Sequence, residues 1–210
     1  MVNLLKLDPG EYKGTYKVVG GQLCFDFSNT VSYRNKDTPH EWLNNFENLS
    51  VWSQIVGIME ESESNQLIRN LSKNPEEGER KLSMIRELRE VVFRIFSSIV
   101  KRKSPAKTDI NYLNNFAEKQ INKEKIVYDN GLFNLEYKSN LTPFKKIIHK
   151  IYKSIIYVMT QIDLTRINKC KSCDWLFYDT SRNRSRQWCV MSDCGNRSKV
   201  NNFNKRQRKV

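Results

Sequence analysis

Cys170-Lys171-Ser172-Cys173, followed by Cys189-Val190-Met191-Ser192-Asp193-Cys194-Gly195-Asn196-Arg197, is the stretch that decides how this chain folds. Two close cysteine pairs separated by fifteen residues make a complete ligand set for a tetrahedral zinc ion. A Cys-x2-Cys turn aims two thiolates at one ion at about 2.3 Å, and a second pair closes a four-coordinate site. Sulfur fills every position and none is left for water, so one structural zinc per chain is expected. The competing readings are chance clustering and a redox Cys-x-x-Cys. A redox motif is a single pair beside a βαβ pattern, whereas here there are two pairs and no such pattern.

Between the pairs, Trp175-Leu-Phe-Tyr178 is an apolar run, Ser181 to Ser185 is a turn cluster, and the chain returns at Trp188. That order predicts a β-hairpin leaving one knuckle and arriving at the next. Residues 198–209 contain neither Pro nor Gly and are expected to continue as a helix. Knuckle, hairpin and helix have the outline of a treble clef.

Charge points the same module toward nucleic acid. The chain has 36 Lys+Arg against 23 Asp+Glu, a net of +13. Residues 165–210 hold twelve basic residues against Asp174, Asp179 and Asp193, so +9 of that excess sits in the last 46 positions. A concentration of this kind is the footprint of a phosphate-binding surface, the plainer alternative being a solvated basic tail. Arg182, Arg184, Arg186, Lys199, Lys205, Arg206 and Arg208 are the candidate contacts, and the first three lie in a turn that suits bidentate phosphate recognition. Asn196 and Arg197, directly after Cys194, are candidates to donate to the sulfurs or loop carbonyls and so orient the ligands. Trp175, Phe177 and Trp188 read as the module's core, with base stacking as the alternative.

The string Phe177-x-Asp179-x-Ser181-Arg182-Asn183-x-Ser185-Arg186-x-Trp188-Cys189-x4-Cys194-Gly195-Asn196-Arg197-x-Lys199 resembles the CGNR zinc finger, a bacterial family. Members often place four residues between the first two cysteines, and this chain places two, which bears on loop shape. Gly20-Gly21-Gln22-Leu23-Cys24-Phe25-Asp26-Phe27-Ser28-Asn29-Thr30-Val31, with Leu49-x2-Trp52 downstream, is similar to the ABATE domain that usually precedes this finger. The resemblance implies a transcriptional regulator whose N-terminal domain has no well-defined activity. Together with the charge it leads to the expectation of a finger that binds double-stranded DNA and an N-terminal domain that senses a small-molecule or protein effector, the alternative being a protein- or RNA-interaction adaptor whose finger is a docking module.

The first 164 residues read mainly as helix. Trp42, Leu43, Phe46, Leu49, Trp52, Ile55, Val56 and Met59 recur at spacings of three and four, which predicts two helices over 41–60, broken near Asn48-Leu49-Ser50. Ser62–Ser72, Glu76–Arg102, Asp109–Ile121 and Pro143–Asp163 follow the same period. Apolar runs on either side of Asn130-Gly131 predict a hairpin over 125–137. The expected fold is therefore mainly α with small β elements. A helical domain with one hairpin spans 1–164, and a treble-clef-like four-cysteine zinc finger with a basic tail spans 165–210. The short connection between them predicts that the finger docks on the last helix.

Nothing in the chain points to an enzyme. His40 and His149 sit in no nucleophile or metal motif, and Gly20-Gly21 before a single apolar run reads as a turn rather than a phosphate loop. Asp26 and Asn29 are the polar candidates of the N-terminal domain, either lining a ligand pocket or making buried hydrogen bonds that fix the domain. Cys24, among apolar neighbours, reads as a buried thiol. No signal peptide and no run of 18 apolar residues is present, so the expected location is the cytoplasm, with no membrane partner.

Overall fold

The computed structural model describes residues 5–120, 124–129, 132–137 and 141–207, with backbone alone for 124–129, 132–137, Asn202, Lys205 and Arg206. The Asn130-Gly131 turn and Arg208 lie outside the described residues. The order is α1 (Leu23–Ser28), β1 (Val31–Ser32), β2 (His40–Glu41), α2 (Phe46–Ile55), α3 (Glu61–Ser72), α4 (Pro75–Val100) and α5 (Lys107–Gln120). Then come β3 (Glu124–Asp129), β4 (Leu132–Tyr137), α6 (Pro143–Gln161), a 3-10 turn (Leu164–Arg166), β5 (Ile167–Lys169), β6 (Leu176–Tyr178), a π-helical turn (Met191–Gly195) and α7 (Asn196–Gln207). The described strands pair as three antiparallel two-stranded sheets, β1–β2, β3–β4 and β5–β6. Among the described residues no helix is long and apolar enough to cross a membrane.

Helices begin where short polar side chains meet their orphan amides. The side chains of Asn45, Asn74 and Thr142 accept from the amides of Asn48, Glu77 and Lys145, with Pro75 and Pro143 opening the latter two helices. Glu60 and Glu63 form a capping box on α3. The predicted break in the first helix is not there, because α2 starts at Phe46 and runs straight through Asn48-Leu49-Ser50. Both polar residues are buried with partners: Asn48 donates to the carbonyls of Asp8 and Trp42, and Ser50 shares a hydrogen bond with Ser64. Their side chains therefore do not compete with the helical backbone. Residues 40–41 form β2 instead, a pairing with β1 too short to leave a periodic signal.

The core assembles around α1. This six-residue helix buries Cys24, Phe25, Asp26, Phe27 and Ser28 and packs against α4 and α6. Phe25 meets Phe96 of α4 edge to face at 5.0 Å. Helix α4 contributes Leu82, Ile85, Leu88, Val92, Ile95 and Phe96 on one stripe. Burial pushes the Cys24 thiol up to about 12, the behaviour of an inert apolar cysteine. Gly20 permits the entry to α1, because a Cβ there would stand 2.7 Å from Phe25 Cβ and 2.9 Å from the Asp26 amide.

The finger docks on α4 and α1 rather than chiefly on α6, which corrects the expectation drawn from the short connection. The turn after α6 reverses the chain, and the β5–β6 hairpin then closes the open side of the core with Ile167 and Leu176. Asn29 fastens this seam. Its side-chain nitrogen donates to the Leu176 carbonyl at 2.9 Å, and its oxygen accepts from the Leu176 amide at 2.8 Å. Both ends of the amide are thus consumed by backbone. Replacing Asn29 with Ala strands two buried backbone groups and is expected to destabilise the full chain by about 2–4 kcal/mol. Urea denaturation of the two proteins measures this, and a loss below about 0.5 kcal/mol, within the range of a bland surface change, would remove Asn29 from its role.

Candidate metal centre and basic face

Both halves of the metal site are shaped by local hydrogen bonds. The first pair forms the turn of the β5–β6 hairpin, whose register matches Ile167 with Tyr178, Asn168 with Phe177 and Lys169 with Leu176. The Cys170 amide donates to the Trp175 carbonyl at 2.8 Å, the Asp174 amide donates to the Cys170 carbonyl at 3.0 Å, and Asp174 takes φ 63° to complete the knuckle. The second pair opens α7, where the amides of Cys194 and Gly195 both donate to the Val190 carbonyl, winding residues 191–195 as a π-turn. The hairpin therefore surrounds the first knuckle instead of joining the two knuckles. Residues 179–188 are irregular in structure, because their turn residues and arginines serve the loop itself.

All four cysteines are buried and free of disulfides. Their sulfurs lie within 4.8 Å of one another, with Cys173 and Cys189 3.5 Å apart and Cys189 and Cys194 3.6 Å apart. A disulfide needs about 2.05 Å, whereas four sulfurs at about 2.3 Å from one tetrahedral ion stand about 3.8 Å apart. The donor set and its spacing fit zinc, and the site holds one structural zinc ion through Cys170, Cys173, Cys189 and Cys194. Trp175 and Phe177 are buried beside it as core, with the Trp175 indole donating to the Val31 carbonyl at 3.0 Å, while Trp188 is half-buried.

The arginines divide into two groups. Arg186 turns inward: it donates to the carbonyls of Trp188 and Cys189, and its guanidinium lies 4.4 Å over the Phe177 ring. Its amide and that of Ser181 are held by the buried Asp179 carboxylate. Arg166, which the sequence marks only by its charge, donates to the carbonyls of Asp179 and Ser181 at 3.1 Å each. Arg184 stays exposed but pairs with Asp163 at 3.1 Å and donates to Thr165 at 2.7 Å. Arg182 and Lys199 are exposed and have no ion-pair partner among the described residues. Only the backbone of Lys205 and Arg206 is described, both on α7. Asn196 donates to the Ser192 carbonyl at 2.9 Å and braces the π-turn, while Arg197 lies 5.4 Å over the Tyr33 ring.

In the N-terminal half, Asp26 is a fastening. Its carboxylate accepts from the amides of Val19 and Gly20 at 2.9 and 2.8 Å, and Tyr16 donates to its carbonyl at 2.6 Å. Burial raises its carboxyl to about 6, and the two amides only partly offset that. His40 stacks on Tyr12 at 4.2 Å, and His149 is buried on α6.

The purified protein is expected to carry one zinc per chain, and Arg186→Ala to weaken zinc retention about tenfold by freeing the Cys189 carbonyl. Elemental analysis and chelator competition measure both, and a zinc-free protein from zinc-replete medium would refute the site. Asp26 supplies a pH dependence. Its folded value lies above the unfolded one, so its stabilising contribution is present below about pH 4 and is lost as pH rises through about 6. Asp26→Asn is expected to gain on the parent by on the order of 2–3 kcal/mol between pH 4 and pH 7.5. Parallel melts at both pH values test this, and a constant difference between the two proteins would contradict it.

Comparison with known families agrees with both halves. Residues 166–207 match the family described as CGNR zinc finger. Residues 21–124 match the ABATE family, described as Putative stress-induced transcription regulator. Among curated proteins, none matches this chain. With four sulfurs converging between 170 and 194 and a buried α1 at the head of the ABATE match, the chain carries an ABATE domain followed by a CGNR zinc finger.

Proposed function

We propose that this is a cytoplasmic transcriptional regulator, a binding protein rather than an enzyme, that docks double-stranded DNA through its finger. The observation that carries the reading is α7. Its twelve residues include Arg197, Lys199, Lys205 and Arg206 and no acidic residue, and its principal packing partner is the π-turn from which it springs. At 1.5 Å per residue such a helix is about 18 Å long, and a B-form major groove about 12 Å wide admits it. Zinc fixes the angle at which it leaves the finger. Arg182 adds a free cation from the irregular loop. The inward-turned Arg186 and the paired Arg184 belong to the support of this face rather than to its contacts.

One observation favours a different reading, a finger that docks on protein or RNA. Val200 and Phe203, three residues apart on α7, are 56% and 61% exposed, more apolar surface than a phosphate contact requires. A salt titration separates the two. Replacing Lys199, Lys205 and Arg206 with Gln is expected to weaken binding to any duplex and to reduce the slope of log K against log salt by about 2–3, with zinc content unchanged. Anisotropy with a labelled duplex at several salt concentrations measures it. Equal binding by parent and variant, or no binding below about 100 µM near physiological salt, would transfer the function to the docking reading.

A further inference from the structure

A cleft of about 240 Å³ opens along the seam, between the segment over residues 12–17, β1 and the metal loop. Its walls are rings: Tyr12, Tyr33, Trp42 and Trp175 all line it. Tyr12 is held by stacking on His40, with Trp42 edge-on at 5.5 Å and Tyr33 at 6.3 Å. Gly14 lets the segment fold over this cluster, because a Cβ there would stand 2.2 Å from the Tyr12 ring. One end of the cleft is closed by the ion pair between Lys17 and Asp193. Cys173, Cys189 and Cys194 contribute to its floor, but each is at most 5% exposed.

Two cations at this cleft carry no ion pair among the described residues, although Arg197 lies over the Tyr33 ring of the cleft wall. Lys13 on the segment and Arg197 on α7 line it from the two halves of the molecule. Rigid aromatic walls favour a flat apolar ligand, and a guanidinium favours a carboxylate in bidentate contact. The volume lies below the ~300–1,000 Å³ of drug-sized pockets. We propose that the seam cleft is an effector site for a small aromatic carboxylate, its ring among Tyr12, Tyr33 and Trp42 and its carboxylate between Arg197 and Lys13.

Such a ligand touches the N-terminal segment and the metal loop at once, so it stabilises their docked arrangement. It also neutralises Arg197, one of the cations of α7. Ligand binding stands on the cleft alone, while an effect on DNA rests on the function proposed above.

Benzoate is the probe, with acetate and benzyl alcohol as the carboxylate and the ring taken separately, all on zinc-loaded full-length protein. Benzoate is expected to raise Tm saturably, by roughly 3–6 °C at about ten times its Kd, with little effect from either half-ligand. Arg197→Gln and Lys13→Gln are each expected to lower benzoate affinity about tenfold while retaining zinc, each shift being read against the variant's own melting temperature without ligand. In the DNA titration, saturating benzoate is expected to reduce the salt slope by about 1. No benzoate effect at about 10 mM, a concentration that reveals even millimolar affinity, overturns the proposal, as does an equal effect on the double variant. A matching response to acetate shows a plain anion site and overturns the aromatic assignment. If benzoate binds as described and duplex binding exists but does not respond, the site stands and its regulatory role fails. If there is no duplex binding at all, the reading of α7 fails and the cleft is unaffected.

Discussion

Convergence of four thiolates on one ion is the constraint from which the rest of the C-terminal half follows. The segment from 167 to 195 contains two three-residue strands and a single π-turn, too little regular structure to hold itself. Metal binding supplies that energy and sets the knuckle and the π-turn in one fixed relation. The rigid β6 edge then presents the Leu176 amide and carbonyl to Asn29, and the Tyr178 amide to the Gly20 carbonyl at 2.8 Å. Docking of the finger is thus backbone recognition by the helical half, completed by burial of Ile167 and Leu176 in the common core.

An irregular loop carries carbonyls that no ladder satisfies, and this loop satisfies several with guanidinium groups. Arg166 and Arg186 together cover the carbonyls of Asp179, Ser181, Trp188 and Cys189. Five donors in a planar fork suit that task better than the single ammonium of Lys. The basic count of the finger therefore overstates its free positive surface, and Arg182, Arg197 and Lys199 are exposed cations with no ion-pair partner among the described residues.

A continuous polar chain joins the two halves. The Trp52 indole of α2 donates to the Tyr16 hydroxyl, which donates to the Asp26 carbonyl, and the Asp26 carboxylate holds the Val19 and Gly20 amides. Gly20 in turn accepts from β6. Buried hydrogen bonds in series polarise one another, so the position of the N-terminal segment is tied to both the helical core and the finger. The seam cleft lies beneath that same segment.

What the sequence determined by itself is what depends on local spacing and side-chain chemistry. The cysteine quartet names its metal, since two short turns bearing thiolates need no further information to coordinate zinc. The 3.6-residue stripe of α4 and the start of α6 at Pro143 were equally legible, as was the β3–β4 pairing on either side of Asn130-Gly131. Other features were decided only by the tertiary structure, because their partners lie far away along the chain. Asn29 reads as ligand pocket or fastening until Leu176, 147 residues on, is placed against it. The break at Asn48 disappears because Asp8, 40 residues earlier, answers its side chain. Arg186 looks like a phosphate contact until the fold turns it onto the Cys189 carbonyl. A polar side chain carries the same donors wherever it stands, and only the packed chain decides whether protein or solvent receives them.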